Sequence, residues 1–187
     1  MRKIVLLATA LLTLVLINFL IFEKESILRN GDLVLLPLAP VDPRSLMQGD
    51  YMVLSYRMPN TLPSADKAAA KGHLVIEVDE HRVATIKDYY VAGQALAKSQ
   101  RLIRYRMRER ERFSRRNRIS IGADSFFFQE GHRQSFERAC FGELRLAASG
   151  KSVLVGLRDA ERKPIIPKSN DTSPTSRLAQ NCPAAAN

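Results

Sequence analysis

Two cysteines, Cys140 and Cys182, and three histidines among 187 residues leave little material for the sites that these side chains build. A dense disulfide framework needs more cysteines, and a four-ligand zinc site needs closely spaced thiols or imidazoles, so both are excluded. His73 and His81 stand at the two ends of one hairpin-like stretch with no cysteine or third histidine placed nearby, and they read as exposed side chains rather than metal ligands. No glycine-rich phosphate loop, dinucleotide fingerprint or zinc signature occurs. No cofactor and no metal are therefore expected. The spacing of the two cysteines and the loose composition around Cys182 favour a small buried Cys140 and a free Cys182, with one disulfide as the alternative.

What the chain does have in quantity is a long uncharged run at its start. Residues 4–22 carry no charge, with Thr9, Thr13 and Asn18 as the polar side chains, and this is long enough to cross a bilayer core as a helix. A cleaved secretory signal is the competing reading, because Met1, Arg2 and Lys3 make a short basic head. A signal's apolar core is usually shorter, and the stretch Phe19-Leu20-Ile21-Phe22-Glu23-Lys24 offers no pair of small residues to a peptidase, so an uncleaved anchor is favoured. The basic head, set against the mixed charges Glu23, Lys24, Glu25 and Arg29, points to a cytoplasmic N-terminus and a domain outside.

The length allows one domain beyond the anchor, and the apolar share of 45% is that of an ordinary foldable chain. The net charge of +10 is concentrated: residues 98–118 hold ten Lys or Arg against two Glu, about +8 of the total. Arg104, Arg106, Arg108, Arg110 and Arg112 occupy alternate positions, which on a strand gives a comb of guanidinium groups on one face. Three readings of that comb compete. It is a solvated edge that discourages sheet-to-sheet aggregation, a surface for anionic headgroups or an acidic partner, or a nucleic-acid surface; the last is disfavoured, since no nucleic-acid motif accompanies the charge.

Strand-like runs dominate the rest. Residues 32–37 form a short strand closed by Pro37, entered by a Gly-Asp turn that returns at Gly49-Asp50, and the two strands are read as possible sheet neighbours. From Asp50 the alternation sets Tyr51, Val53 and Ser55 on one face and Met52, Leu54 and Tyr56 on the other, which predicts a central strand. Ser64 is placed to cap a two-turn helix over residues 65–71 that ends at Gly72. Hairpins are predicted from residues 73–78 with 82–86, from 101–108 with 119–122, and from 142–147 with 152–157. Phe126, Phe127 and Phe128 should anchor the core, and residues 132–139 can make one or two helical turns that put Phe136 and Cys140 on one face. Beyond residue 160 the proline-, serine- and alanine-rich composition predicts a disordered tail.

No catalytic set is selected by spacing. Ser125 with His73 or His132 and Asp50 supplies the residue types of a hydrolase triad, and nothing in the sequence brings them together. A serine–lysine pair of the kind used by membrane signal peptidases fails too, because Ser26 and Ser45 lack the flanking pattern and Lys71 and Lys87 lack apolar neighbours. Asp50 and Glu130 are the polar candidates for a shared site, each beside a glycine at a strand end. Their structural reading is a turn cap for Asp50 and an arginine pair with Arg44 or Arg57 for Glu130.

Gly49, Asp50, Tyr51, Leu54 and Tyr56 fill every fixed position of the pattern G-D-Y-x-x-L-x-Y, with Pro40, Asp42, Pro43 and Arg44 just upstream. Together with residues 127–131, Ala139, Phe141-Gly142-Glu143 and Gly156-Leu157-Arg158-Asp159, this resembles the GDYXXLXY family of uncharacterised bacterial membrane-anchored proteins over residues 28–160. The resemblance implies a periplasmic domain tethered to the inner membrane and a multi-pass integral membrane partner, and it names no chemistry.

The expectation is therefore an all-β domain, mainly an antiparallel sandwich or partly closed barrel of about seven to nine strands with one or two short helices, after a single transmembrane helix. Its parts are a cytoplasmic tail at 1–3, an anchor at 4–22, a stalk at 23–30, the β domain at 31–160 and the tail at 161–187. The expected role is an interaction or assembly module without catalytic activity, with a membrane-surface hydrolase as the alternative. The candidate interaction residues are Asp50, Tyr51, Tyr56, Arg104, Arg106, Arg108 and Glu130.

Overall fold

The computed structural model of the chain describes residues 2–39, 51–59, 62–64, 68–108, 118–129, 132–167 and 182. It opens with one uninterrupted helix, α1 (Arg2–Asn30). At 1.5 Å per residue these 29 residues span about 43 Å against a hydrocarbon core of about 30 Å, so the helix is long enough to cross a membrane and emerge with roughly two turns to spare. Residues 2–22 are exposed throughout, as a lipid-facing segment requires. Thr9, Thr13 and Asn18 turn their polar atoms back onto the carbonyls of Val5, Thr9 and Leu14, four residues earlier, which satisfies those donors without water.

The helix ends at Gly31, whose N–H bonds the Ile27 carbonyl at 2.9 Å. A Cβ there would lie 2.5 Å from that same oxygen and 3.1 Å from the Leu146 nitrogen, so glycine is what lets the helix end abut the sheet. β1 (Asp32–Pro37) follows at once and pairs antiparallel with β8 (Phe141–Leu146), which pairs in turn with β9 (Ser152–Arg158). A second sheet has the order β4-β3-β5-β6, from β3 (Lys71–Val78), β4 (Ala84–Tyr89), β5 (Gln100–Arg108) and β6 (Arg118–Ser120). A bridge between Leu35 and Val83, with the Leu35 N–H donating to the Arg82 carbonyl at 2.8 Å, links β1 to the start of β4. The strands thus follow one another as β9-β8-β1-β4-β3-β5-β6, a curved wall of seven. Its open side is tied by the Arg104 N–H to the Gly150 carbonyl at 2.8 Å and by Ser152 Oγ to the Ile121 carbonyl at 3.3 Å. The fold is the expected all-β, mainly antiparallel one, a half-barrel behind an apolar helix.

Inside the wall Val34, Leu36, Leu74, Ile76, Ala84, Ile86, Ile103, Leu144 and Leu146 close the main core. Leu36, Leu74, Ile76, Ile103 and Leu144 have no exposed surface at all, and each contributes about 1.5–3 kcal/mol by burial. Beneath it a smaller core of Leu38, Leu54, Phe136, Leu157 and Ile165 is roofed by β2 (Tyr51–Val53), β7 (Ser125–Phe127) and the one-turn α2 (Arg133–Phe136). Phe126, Phe128 and Phe136 meet there with ring centroids 5.0–6.5 Å apart.

Several local expectations are corrected. β2 is a three-residue strand paired with β7 alone, so it is not central; it meets the β1 side through the isolated bridge of Leu38 with Tyr56. Lys71 and Gly72 belong to β3 rather than to a helix and its cap, because the ring of Tyr105 crosses the backbone at Gly72, 3.0 Å from where a Cβ would sit. Phe127 points away from the aromatic cluster and is 75% exposed, since only alternate residues of a strand face the core. α2 stops at Phe136, and Cys140 lies on the extended approach to β8, bonded through its backbone to Leu38 and Arg158. Most consequentially, Cys140 and Cys182 form a disulfide across 42 residues, where a free Cys182 was expected. Packing explains it. Cys140 sits with Leu35 and Phe141 in a third apolar cluster against which Cys182 is laid. Ile165 is buried and Pro164 bridges Arg158, so ordered chain continues past residue 160; the rest of the expected tail, residues 168–181 and 183–187, lies outside the described residues.

Candidate interaction surface

The alternation that predicted a comb is realised on β5. Ile103 and Tyr105 are buried while Arg104 and Arg106 are exposed on the opposite face; Arg101, exposed at the start of the strand, falls on the same side as Ile103. The inward residues are held firmly: Tyr105 packs edge-on against Tyr89 at 5.2 Å and donates its hydroxyl to the Ala69 carbonyl at 3.0 Å, and burial pushes its phenol up from the ordinary tyrosine range. The arginines of the strand differ among themselves. Arg101 is tied to Asp32 at 3.0 Å and to the Lys98 carbonyl at 2.7 Å. Arg104 and Arg106 have no ion-pair partner among the described residues. Arg108 pairs through its backbone with Arg118; its side chain, and Arg110 and Arg112 with it, lie outside what is described.

The β8–β9 hairpin is fixed relative to α1. Lys151, at the end of the β8–β9 turn, donates to the Glu23 carboxylate, and Arg145 on β8 donates to the Gly31 carbonyl at 3.0 Å. Ile27 is buried against the domain. The hydrogen bond from Lys151 holds the Glu23 carboxyl below its ordinary range, aided by the positive charges of Lys151, Lys24 and Arg104. Residues 23–30 thus continue the helix and belong to the domain's contact set.

The signature residues serve another purpose. Of the two faces, that of Met52, Leu54 and Tyr56 is the inward one, with Leu54 at 3% exposure, so Tyr56 packs in the core rather than at an interaction surface. Tyr56 donates its hydroxyl to the Ala123 carbonyl at 2.5 Å and lies across Gly142, where a Cβ would stand 3.0 Å from a ring carbon. Burial, with the charge of Asp124 behind it, raises its phenol far above the ordinary tyrosine range. Ser120 donates to Asp124 and accepts from the Gly122 N–H, which fixes the loop that presents Ala123. Tyr56 therefore joins the chain after β1, the β6–β7 loop and β8. Asp50 and Glu130 lie outside the described residues, and of Tyr51 the backbone pairing with Phe127 is described. The charged pair that the structure does bring together is one the sequence did not single out: Glu143 on β8 accepts two hydrogen bonds, at 2.8 and 3.0 Å, from Arg158 on β9, and this carboxylate raises the Arg158 guanidinium further.

Among the described residues no hydrogen bond joins Ser125 to His73 or His132. His73 Nε2 lies 3.3 Å from the Ser149 carbonyl. No group of three or more His, Cys, Asp or Glu able to hold a metal occurs among the described residues. The contacts that matter most here, Lys151 to Glu23 and Arg145 to Gly31, span more than a hundred residues and carry no local pattern. The available signal was the isolated Glu23 just past an apolar run.

Comparison with known proteins gives one family, described as GDYXXLXY protein, whose model matches residues 13–157. No curated protein and no solved structure matches the chain.

Proposed function

The chain belongs to the GDYXXLXY protein family, and from that premise we propose that it is a membrane-anchored interaction module that assembles with an integral membrane protein. The observation that carries the reading is the docking of the β domain on its own helix through Glu23–Lys151, Arg145–Gly31 and Ile27. A flexible tether only confines a domain. A docked one also fixes which face meets a neighbour in the same membrane, and confinement then turns a modest interface into a sufficient one.

In this reading α1 crosses the inner membrane of a bacterium with its basic N-terminal residues in the cytoplasm and the β domain in the periplasm. The Cys140–Cys182 disulfide supports an oxidising compartment for the domain, since such bonds persist there and are rare in the cytosol. The partner is a multi-pass membrane protein. Two surfaces are offered to it: the fully exposed helix face with Asn18, whose side-chain carbonyl is open to a neighbouring helix, and the arginine face of β5. No catalytic step is assigned.

Crosslinking in native membranes followed by gentle-detergent purification of the full chain tests this. A multi-pass protein should copurify, and Asn18→Leu should weaken the complex. Recovery of the chain alone in both experiments overturns the reading, and turnover by the purified chain that one Ser, Asp or Glu substitution abolishes replaces it with the hydrolase.

A further inference from the structure

On the outward side of β3 and β5 the charges are matched at one end and bare at the other. Alternation along β3 puts Lys71, His73 and Glu77 on the side opposite the buried Leu74 and Ile76, and alternation along β5 puts Arg104 and Arg106 opposite Ile103 and Tyr105. Glu77 is held by Lys87 of β4 at 2.9 Å. At the other end of the face the strand register sets Lys71 directly opposite Arg106, and His73 opposite Arg104. Like charges facing each other across a strand pair destabilise a sheet. Lys71, Arg104 and Arg106 are exposed and make no side-chain ion pair among the described residues.

The chain has little to offer these cations. It carries 19 Asp and Glu against 29 Lys and Arg, and the ion pairs described on it commit Glu23, Glu25, Asp32, Glu77 and Glu143 to other partners. With a net charge of +10 it cannot neutralise all its cations itself, and three of the bare ones stand together here. We infer that this face binds an extended acidic segment of a partner protein, with carboxylates at alternate positions. The spacing fits: Arg104 and Arg106 are about 7 Å apart along β5, which is also the repeat of side chains on one side of any extended chain. Two carboxylates at i and i+2 therefore meet two guanidinium groups at once, each through paired donors, while the Lys71 amine supplies a point charge about 5 Å to the side. This rests on the interaction-module reading above and deepens it by naming the chemistry of the partner. An acidic protein is favoured over a lipid because a protein segment can reach this face wherever it stands above a bilayer, and a headgroup cannot.

The test uses the full chain in native membranes, treated with a water-soluble carbodiimide that joins a lysine amine directly to a carboxylate touching it. Crosslinked peptides are identified by mass spectrometry. Lys87 joined to Glu77 is the internal control for a folded β3–β4 hairpin. Lys71 should be joined to an Asp or Glu of another protein, in a segment with a further acid two residues away. Arg104→Gln with Arg106→Gln should lower that product roughly fivefold against the Lys87–Glu77 product, and about 1 M salt should lower it likewise. Arg101→Gln, on the other side of the strand, should leave it unchanged. A Lys87–Glu77 product with no Lys71 product, a Lys71 product confined to the chain's own carboxylates, or one untouched by the double substitution overturns the inference. So does binding that depends on Arg104 and Arg106 but goes to phosphatidylglycerol vesicles or a single-stranded oligonucleotide while Lys71 joins no protein, which assigns the face to phosphates. Copurification of a multi-pass protein without the Lys71 product leaves the module reading standing and removes this one; a Lys71 product with a soluble acidic protein does the reverse.

Discussion

The signature segment and the arginine face lie on opposite kinds of ground. Leu54 and Tyr56 are committed inward, with the tyrosine hydroxyl on Ala123 and its ring across Gly142. Arg104 and Arg106 are exposed and make no side-chain ion pair among the described residues. A short motif that looks like a site thus acts as a joint between three parts of the fold, while those two arginines of the charge run stay exposed on the outer side of β5. The difference teaches that, in this chain, recognisability tracks packing, while charge gathers where packing makes no demand.

The sharpest way to break this comparison is Leu54→Ala, which removes a fully buried side chain and should cost about 3–5 kcal/mol in detergent-solubilised unfolding. If it unfolded no more easily than wild type, the signature would have to be read as a binding element after all. Next in size is the disulfide. Cys140→Ser with Cys182→Ser opens a closed loop of 42 residues and should lower stability by about 2–4 kcal/mol, an effect that a reducing agent should reproduce on the unsubstituted chain.

Gly31→Ala tests the joint between helix and sheet. The new methyl meets the Ile27 carbonyl and the Leu146 backbone, so a loss of about 1–3 kcal/mol is expected, with faster hydrogen exchange at Leu146 than at the distant Ile76. Equal exchange at both would remove the idea that close approach there holds the domain to the helix. Tyr56→Phe is gentler, since it keeps the ring and deletes the hydrogen bond, for about 1 kcal/mol.

That variant also has a pH signature. The phenol of Tyr56 is raised in the folded state, so the unfolded chain ionises first, near pH 10. The contribution is fully present below that pH and declines as pH rises beyond it. Tyr56→Phe should flatten the alkaline fall in stability without erasing it, because Tyr89 and Tyr105 are raised in the same direction by burial. An unchanged alkaline slope would mean that Tyr56 is not the buried phenol described. The smallest effect belongs to Arg104→Gln with Arg106→Gln, which should alter stability in detergent-solubilised unfolding by under about 0.5 kcal/mol.

Much of this was legible because the physics is local. A period of two set Ile103 and Tyr105 against Arg104 and Arg106, a nineteen-residue uncharged run set the helix, and the Gly150 turn and the polar Asp79-Glu80-His81 turn set the β8–β9 and β3–β4 hairpins. What was not legible depends on distant parts. Lys71 looked like the end of a capped helix because Ser64, the alanines and Gly72 fit one, and only the ring of Tyr105, more than thirty residues on, makes that glycine a strand residue. The disulfide was underweighted because composition around Cys182 says nothing of the apolar cluster that receives it. Glu143 and Arg158 were quoted as parts of a pattern without being recognised as a pair, since their pairing follows from a β8–β9 register with a shift between Glu143 and Leu144. Asp50 and Glu130 lie outside the described residues, and their assignment as cap and ion pair stays a sequence expectation.

The seam at Gly31 has a mechanical consequence. With helix and half-barrel joined at Ile27, Lys151 and Arg145, a change in the direction of the helix is carried into the sheet rather than absorbed at a hinge. Spanning helices change tilt when bilayer thickness changes. A tilt change of about 10° carried through a domain about 30 Å across would swing its far rim by roughly 5 Å. In the membrane-anchored reading proposed above, a change in bilayer thickness would thereby move the outer strands of the domain.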